Sequence, residues 1–287
     1  MVNSPKIFII ILNYNGESTI KQCLNSVFQM DYPNFEVVVV DNNSSDGSLE
    51  LAKGFFPKAH FIKNEKNVGF AAGNNVGVRF ALEKMADYVF LLNNDALIKK
   101  DTLLKLVDAA EKDKNAGVVG PVIFKGNTDD IWFAGGEIKW LTMRAVHDNS
   151  GVNSRVNSFK TQYVSGCAML IKKEVLKKTG LLSEDFFLYY EDVDFCVQAE
   201  KNGFYSLIVP GAEVFHFEKS EQNKKSKTYW LVISGLIFFK KNTPLFLKLW
   251  MYFYLFLRKR KNKKDVKNNN ELAREVQRAY NDYKNAK

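Results

Sequence analysis

Short apolar runs alternate with segments of helical periodicity over the first hundred residues. The runs predict four strands, and the segments between them, in which apolar residues recur every three or four positions, predict three helices. The strands are expected at residues 6–12, 34–42, 60–64 and 87–95, and the helices at 18–30, 44–56 and 71–85. Ser45 or Asp46 would cap the second helix. Strands that are apolar on both faces and separated by helices indicate a parallel α/β sheet.

The pattern is less regular after residue 100. A helix and then a strand, GVVGPVIF, are predicted from residue 101 onward. Residues 125–160 predict a hairpin or a flexible loop, because tryptophans and glycines lie there among polar residues. A further strand, YVSGCAMLI, is expected at 163–171.

The composition is that of a protein with a large core and reduced cysteines. Hydrophobic residues occupy 46% of the 287 positions, which suits one large domain or one domain with an appendage. Cys23, Cys167 and Cys196 are far apart and form no CxxC pair, which argues against a disulfide framework and a zinc cluster. The apolar run at 7–12 is too short for a signal peptide. A cytosolic protein is therefore expected.

Basic residues are concentrated in the last quarter of the chain. Residues 1–218 contain 23 Lys/Arg and 27 Asp/Glu, a net charge of −4, whereas residues 219–287 contain 18 and 5, a net charge of +13. The apolar stretch 244–257 is shorter than the about 20 residues that a membrane-spanning helix needs. Aromatic and apolar residues followed by RKRKNKK predict instead a segment that lies on an anionic membrane surface. We expect a domain over residues 1–222 and a helical, aromatic and basic extension over 223–287.

Polar residues follow the predicted strands at their carboxyl ends, where open α/β sheets bind ligands. Asn13 and Tyr14 follow the first strand, and Asp41 follows the second. A carboxylate there can accept hydrogen bonds from a nucleobase or a ribose, and an aromatic ring can stack on a base. Turns at strand ends use the same residue types, so these positions alone leave both interpretations open.

Two further polar segments lie at this predicted edge. Residues 67–77 place glycines four apart, which lets a helix pack closely or lets its N-terminus approach a phosphate. The spacing is not GxGxxG, so a dinucleotide fingerprint is absent. Asn93, Asn94 and Asp95 follow the fourth strand, and a carboxylate there can bind a Mg²⁺ or Mn²⁺ ion that bridges diphosphate oxygens. A plain loop is the alternative.

An acidic run, which contains Glu191, Asp192 and Asp194, follows the apolar segment FFLYY. Apolar neighbours can raise the pKa of a carboxyl group and make it a better base. The alternative is the acidic first turn of a helix, which the helix dipole stabilises. Both interpretations can hold, with one carboxylate at the helix end and another facing a substrate.

Histidines provide one more candidate ligand. His216 lies in an apolar strand, where a lone histidine is usually a core residue, and it gains interest only as a partner for Asp95 at a metal site. His60 and His147 are not expected to have comparable neighbours.

The order of these segments resembles that of the family 2 glycosyltransferases, most of all the branch that contains rhamnosyltransferases. The resemblance covers roughly residues 6–240 and is carried by IILNYNG, VVVVDNNSSDGS, NVGFAAGNNVG, FLLNNDA, VSGCAMLI, FFLYYEDVDFC and VFHFEKS. It implies a GT-A fold, which is a Rossmann-like mixed sheet flanked by helices. It also implies an inverting single displacement that moves a sugar from a nucleotide diphosphate donor.

The resemblance further implies roles for individual residues. Those implied to bind the nucleotide sugar are Asn13, Tyr14, Asp41, Asn67, Asn74, Asn94 and Asp95. Those implied to contact the acceptor or the transferred sugar are Trp132, Gly166 and Cys167. Asp95 and His216 would hold a divalent ion, Mg²⁺ or Mn²⁺, and Asp192, beside Glu191, would be the general base. Asn93 stands where the family's DxD motif has its first aspartate, so weaker binding of the free ion is expected.

The resemblance also suggests partners and a location. The expected donor is a dTDP- or UDP-linked sugar, with dTDP-rhamnose as the first choice, and the expected acceptor is a glycan or lipid-linked oligosaccharide of bacterial cell-surface polysaccharide synthesis. We expect a cytoplasmic protein on the inner face of the cell membrane, with a homodimer as a further expectation.

Three alternatives stand beside this interpretation. Within the family, the transferred sugar could be galactofuranose, galactose or N-acetylglucosamine. In another class, a nucleic-acid-binding protein could use the basic tail, but the catalytic-type residues would then have no role, so nucleic acid is not expected as a partner. An inactive protein of the same fold is disfavoured because Asp95, Asp192 and His216 are all present.

Overall fold

The computed structural model describes residues 4–149, 157–218 and 223–285. The four strands expected in the first hundred residues are present as β1 (Ile7–Asn13), β2 (Phe35–Asp41), β3 (His60–Lys63) and β4 (Tyr88–Asn93). They pair in parallel in the order β4-β1-β2-β3. The apolar residues of β1 from Ile7 to Ile11 are completely buried, which explains why its sequence shows no alternation.

The three helices expected between these strands are α1 (Ile20–Phe28), α2 (Ser48–Phe55) and α3 (Phe70–Glu83). The predicted cap of α2 at Ser45 or Asp46 is confirmed only in part: Gly47 occupies the N-cap position, but Asp46 Oδ1 accepts a hydrogen bond from the N–H of Ser48, the first residue of the helix, at 3.1 Å. A Cβ on Gly73 or Gly77 would lie 2.5 Å from a side-chain atom of β1. The spaced glycines therefore allow α3 to pack closely on the sheet.

The second half of the chain makes the sheet mixed. Its elements are β5 (Ala96–Ile98), α4 (Thr102–Lys112), β6 (Ala116–Lys125), β7 (Ile131–Phe133), β8 (Gly136–Lys139), β9 (Arg144–His147), β10 (Phe159–Thr161), β11 (Ala168–Lys172), α5 (Lys173–Thr179), α6 (Glu191–Lys201) and β12 (Tyr205–His216). The main strand order is β10-β12-β6-β11-β4-β1-β2-β3. β11 is antiparallel to both β4 and β6.

Two predictions in this half change in detail. The strand expected at 163–171 begins only at Ala168, so the residues before it are free to line a cavity. The hairpin expected within 125–160 is β8–β9, which forms a separate two-stranded sheet.

The C-terminal extension consists of α7 (Lys224–Asn242), a short 3₁₀ helix (Leu245–Leu247), α8 (Lys248–Lys267) and α9 (Glu271–Asn285). α9 packs against both α7 and α8. Phe238 and Phe239 of α7 are completely buried in the same hydrophobic core as the sheet. None of the helices in the described ranges has the length and apolar character needed to cross a membrane. The boundary at residues 222 and 223 stays a prediction.

Candidate functional site

Asn13, the last residue of β1, is the centre of a buried hydrogen-bond network. Its Nδ2 donates to Asp41 Oδ1 at 2.9 Å and to Ser48 Oγ at 2.8 Å. Its Oδ1 accepts from Asn94 Nδ2 at 2.9 Å. Asp41 also accepts from the Ser44 N–H at 3.0 Å, and neither Asn13 nor Asp41 has any exposed surface. Asn13 thus joins the carboxyl ends of β1 and β2 to the turn after β4, and it acts as a positioning residue.

Three other residues predicted to bind the nucleotide sugar differ in how far they are exposed to solvent. Tyr14 is 50% exposed, so its ring is accessible. Asn67 is partly buried, and its Oδ1 accepts from Asn42 Nδ2 at 3.1 Å. Asn74 is buried, and its Nδ2 donates to the Phe70 carbonyl of its own helix at 3.0 Å. The amide of Asn74 therefore stabilises the first turn of α3.

A cavity of about 570 Å³, which we call the catalytic cavity, brings seven of the predicted residues together. These are Asp95, Trp132, Gly166, Cys167, Glu191, Asp192 and His216. The remaining six, Asn13, Tyr14, Asp41, Asn67, Asn74 and Asn94, do not line it. The predicted residues therefore form two groups. One lines the catalytic cavity, and the other consists of these six residues, which we call the donor edge.

Asp95 and His216 meet at one side of the catalytic cavity. His216 Nε2 lies 3.1 Å from Asp95 Oδ1, yet neither Asp95 Oδ1 nor His216 Nδ1 has a hydrogen-bond partner among the described residues. Burial opposes the charged imidazolium, but Cys167 and Asp95 outweigh it and raise the pKa of His216 to about 11. Without another cation, the proton on His216 supplies the positive charge beside Asp95.

This pair fits a divalent ion that takes part of its coordination from a ligand. The described residues contain no group of three or more His, Cys, Asp or Glu that could hold an ion alone. Adjacent ligands of an octahedral ion, each at about 2.1 Å, are about 3 Å apart, which matches the separation of 3.1 Å between Asp95 Oδ1 and His216 Nε2. An ion held by these two atoms would have its other positions open for phosphate and water.

α6 begins at the wall of the catalytic cavity, after two residues with left-handed backbone conformation. Tyr189 and Tyr190 both have φ of 69°, a left-handed conformation that costs about 1–3 kcal/mol per non-glycine residue. The helix then starts at Glu191, and Asp192 follows in its first turn. Asp192 Oδ2 accepts from the Gly166 N–H at 2.9 Å, and its Oδ1 accepts from the Val193 N–H at 2.8 Å.

The two adjacent carboxyl groups differ in how well their charged forms are stabilised. Burial raises the pKa of both Glu191 and Asp192, and the charge on Asp192 raises that of Glu191 further. Two backbone N–H groups stabilise the Asp192 carboxylate, whereas Glu191 Oε2 is buried without a partner among the described residues. Glu191 therefore holds the proton, and Asp192 carries the negative charge.

His147 is a cavity residue that sequence reasoning missed. It lines the catalytic cavity, its Nδ1 lies 2.8 Å from the Trp132 carbonyl, and burial lowers its pKa. The Trp132 ring packs edge-on against both His147 and His216, each at 4.6 Å between ring centroids. His147 thus contacts Trp132, whereas His216 contacts the carboxylate of Asp95. His60, by contrast, pairs with Glu36 at 2.7 Å and does not line the cavity.

Further lining residues occupy positions to which the sequence analysis assigned no role. Tyr163 precedes β11, Glu218 follows β12, and Lys227 and Leu231 lie on α7. Glu218 Oε2 accepts from Trp132 Nε1 at 2.9 Å and its Oε1 pairs with Lys227 Nζ at 2.8 Å. The C-terminal extension is thus part of the cavity wall.

Comparison with known proteins identifies the family to which the sequence is similar. The sequence matches the family described as Glycosyl transferase family 2 over residues 8–180. The dTDP-rhamnosyl transferase RfbF of Shigella flexneri is 24% identical over 257 residues, which cover 86% of this chain and 84% of that protein. The N-acetylglucosaminyl-diphospho-decaprenol L-rhamnosyltransferase of Mycobacterium tuberculosis is 24% identical over 231 residues, which cover 72% and 75%.

A solved structure with a similar fold supports the predicted fold class. The mannosyltransferase PcManGT from Pyrobaculum calidifontis, in complex with GDP-Man and Mn²⁺, matches with a TM-score of 0.62 at 18% identity. The match covers 100% of this chain and 77% of that one. The expected fold, a mixed sheet of the GT-A type, is confirmed.

Proposed function

The chain belongs to glycosyl transferase family 2, and from that premise we propose that it transfers a sugar, with inversion, from a nucleotide diphosphate to a glycan acceptor. The observation that carries the proposal is that Asp192 and the Asp95–His216 pair line one cavity. The relative RfbF supports dTDP-rhamnose as the donor, and both rhamnosyltransferase relatives support rhamnose as the transferred sugar. UDP-linked galactofuranose, galactose or N-acetylglucosamine are the alternatives. The proposal places the transfer in bacterial cell-surface polysaccharide synthesis.

Asp192 is the proposed general base. The N–H groups of Gly166 and Val193 fix its carboxylate, so it can take the proton of an acceptor hydroxyl in the cavity. The oxygen of that hydroxyl then attacks the anomeric carbon from the side opposite to the departing diphosphate. One such displacement inverts the anomeric configuration. Glu191, which holds its own proton, leaves Asp192 as the basic member of the pair.

The donor edge is the proposed nucleotide site. Tyr14 offers an accessible ring for stacking on the base, whereas Asp41 is completely buried and, together with Asn13, positions the strand ends at this site. Asn67 lies next to this position, and Asn74 acts indirectly by stabilising the start of α3. Asn94, which donates to Asn13, connects the nucleotide site to the turn that carries Asp95.

A divalent ion held by Asp95 and His216 would neutralise charge on the leaving diphosphate. Mg²⁺ strongly prefers oxygen ligands, so the imidazole of His216 favours Mn²⁺ as the ion used. Trp132 packs against His216 and also faces the cavity, which suits a wall against the transferred sugar. Cys167 and Gly166 lie between the proposed metal ligands and the proposed base in the cavity lining.

A membrane contact at the cytoplasmic face is the second part of the proposal. The residues that carry it form an exposed apolar face on the short 3₁₀ helix and α8: Leu245, Phe246, Leu249, Tyr252, Phe253 and Phe256. Apolar patches of this size mark interaction sites, and the basic residues at 258–264 favour anionic lipid. Leu249→Glu with Phe253→Glu should abolish co-sedimentation with phosphatidylglycerol vesicles and leave nucleotide binding intact. Unchanged sedimentation would remove the membrane from the proposal.

A thermal-shift screen of nucleoside diphosphates and nucleotide sugars, with and without Mn²⁺ or Mg²⁺, tests the transferase proposal first. A ligand that binds the native state raises its apparent stability by mass action. We expect a metal-dependent shift with dTDP or UDP compounds, and the sugar that gives the largest shift is then used in a transfer assay with NMR analysis of the product's anomeric configuration. Absence of any shift in folded protein would contradict the proposed donor site.

A further inference from the structure

A second cavity adjoins the catalytic cavity on the side of the C-terminal helices. It measures about 340 Å³ and lies between the β8–β9 hairpin and helices α7, α8 and α9. We call it the helical cavity. Ala145, Tyr190 and Leu231 line both cavities. The two cavities therefore share a wall that is formed by these side chains.

The helical cavity contains two arginines in a largely apolar lining. Arg144 lies on β9 and is exposed, whereas Arg258 lies on α8 and is partly buried. Neither guanidinium has an ion-pair partner among the carboxylates of the described residues. Both oppose the rise in the pKa of Tyr190 that burial causes, so both act at its hydroxyl. A partly buried cation is unfavourable without an anion beside it.

The chemistry of an arginine pair indicates the anion. A guanidinium presents a planar set of N–H donors that matches the oxygens of a phosphate, and an unpaired set in a cavity is a preformed phosphate site. A glycan without a phosphate would leave these donors unused. The charge of the site therefore favours a ligand that carries a phosphate or diphosphate group.

The remaining lining indicates what is attached to that phosphate. Leu236, Phe239 and Leu255 form apolar walls of the helical cavity. Gly235 widens the space, because a Cβ there would lie 3.5 Å from the Tyr190 ring. Leu255 and Arg258 face this cavity on the same helix whose other side carries the exposed apolar face. The cavity and the exposed apolar face therefore lie on the same helix.

We propose that the helical cavity binds the phosphate and the first apolar units of a lipid-linked acceptor. Arg144 and Arg258 would pair with the phosphate, and the attached sugar would reach Asp192 past Tyr190. Free phosphate would leave the apolar walls uncovered, and an uncharged lipid would leave the arginines unpaired, so the site selects the combination. This assignment rests on the proposed transferase function, because it places an acceptor with respect to its base.

Equilibrium dialysis of the full-length protein against farnesyl phosphate, below its micelle concentration, measures the site directly. Farnesol and inorganic phosphate serve as probes of the two halves alone. We expect Arg144→Gln with Arg258→Gln to weaken binding of farnesyl phosphate by at least about tenfold, since each substitution removes a charge-assisted contact to the phosphate. The matched control, Lys112→Gln with Lys114→Gln, removes two exposed charges that line neither cavity and should bind as the wild type does.

Three results would overturn the assignment: equal binding by the arginine double variant, equal binding of inorganic phosphate and farnesyl phosphate by the wild type, or equal binding of farnesol. Gly235→Leu, which fills the cavity without changing charge, provides a second variant if the arginine variant does not fold. It should weaken binding of farnesyl phosphate as well.

Nucleotide thermal shifts separate this inference from the proposed function. The arginine double variant and Gly235→Leu should keep the thermal shift given by the donor nucleotide. In both, the rate of transfer to a lipid-phosphate acceptor should fall more than the rate of transfer to a soluble glycan. If the wild type shows no nucleotide shift but binds farnesyl phosphate through the arginines, the lipid-phosphate site stands without the transferase. If nucleotides bind and the arginines have no effect on farnesyl phosphate, the transferase stands and the helical cavity is not its acceptor site.

Discussion

The donor edge and the catalytic cavity differ in whether their buried polar atoms have hydrogen-bond partners. At the donor edge, Asn13 and Asp41 are completely buried, and each makes several hydrogen bonds to other side chains. In the catalytic cavity, Asp95 Oδ1, Glu191 Oε2 and His216 Nδ1 are buried with no hydrogen-bond partner among the described residues. An unpaired buried polar group costs about 1–3 kcal/mol. The donor edge is thus complete in itself, whereas the cavity depends on a proton, an ion or a substrate.

Asp192→Asn should have the largest effect in the cavity. The amide keeps the shape of the side chain but cannot accept the acceptor's proton, so kcat should fall by about 10² to 10⁴-fold. Because Asp192 lies outside the donor edge, the thermal shift given by the donor nucleotide should remain. A variant that turns over at the wild-type rate would refute the assignment of the base.

The pKa of Asp192 gives this assignment a pH signature. Burial raises that pKa above its ordinary value of 3.8, so kcat/KM should decline on the acid side at a higher pH than for an exposed aspartate. A pH profile with no such limb would count against Asp192.

His216→Ala should have the next largest effect, on the metal. The loss of one of two protein ligands should weaken Mn²⁺ affinity, measured in the presence of the nucleotide, by about 10- to 100-fold or more. His60→Ala removes a histidine that pairs with Glu36 outside the cavity, and it should leave Mn²⁺ affinity unchanged. Because the pKa of His216 is about 11, the ion competes with a proton, and Mn²⁺ affinity in the wild type should rise with pH.

Asn13→Ala tests whether the hydrogen bonds of the donor edge contribute to stability. The substitution leaves Asp41, Ser48 and Asn94 without the amide that joins them. We expect the free energy of unfolding to drop by about 1–3 kcal/mol, measured by urea denaturation. Asn127→Ala, at an exposed turn position, is the matched control and should stay within about 0.5 kcal/mol of the wild type. Equal stabilities would show that the network does not hold the edge together.

The donor edge was also the part that the sequence predicted best. Its strands are continuous apolar runs because both faces are buried, and the polar residues that end them must meet where parallel strands end. Neighbouring positions in the chain become neighbours in space, so local pattern is sufficient. The sequence pattern could not predict that Asn13 and Asp41 form a hydrogen bond with each other. The same residue types can either bind a ligand or accept hydrogen bonds within the protein.

The catalytic cavity was predictable only in part, because it is assembled from distant segments. Asp95, Asp192 and His216 could be identified by resemblance, but His147 lies on a hairpin whose strands are four residues long and mostly exposed. Lys227 and Leu231 enter the wall only because α7 packs back on the sheet domain. That packing depends on tertiary contacts of Phe238 and Phe239 that no local periodicity records.

Glu191→Gln replaces the buried, ionisable carboxyl group of the catalytic cavity by an amide that does not titrate. The raised pKa of Glu191 means that its protonated form is the one the fold accommodates. The contribution of Glu191 to the free energy of unfolding should therefore be fully present below its ordinary pKa of 4.5, and should decline by up to about 1.4 kcal/mol per pH unit as pH rises toward the pKa in the folded state. Glutamine cannot ionise, so the variant should show a flatter pH dependence in urea denaturation. Parallel profiles would show that Glu191 is charged in the native state.

Tyr14→Ala should have the smallest effect and should act on the donor edge alone. The ring is half exposed, so its loss leaves no cavity and should change the free energy of unfolding by no more than about 0.5 kcal/mol. A stacking contact with the base is worth about 0.5–1.5 kcal/mol, so the Kd of the donor nucleotide should rise about two- to tenfold in a titration. Tyr14→Phe keeps the ring and should bind as the wild type does. If alanine and phenylalanine bind the nucleotide equally well, the base does not stack on residue 14, and the accessible ring at the donor edge has another role.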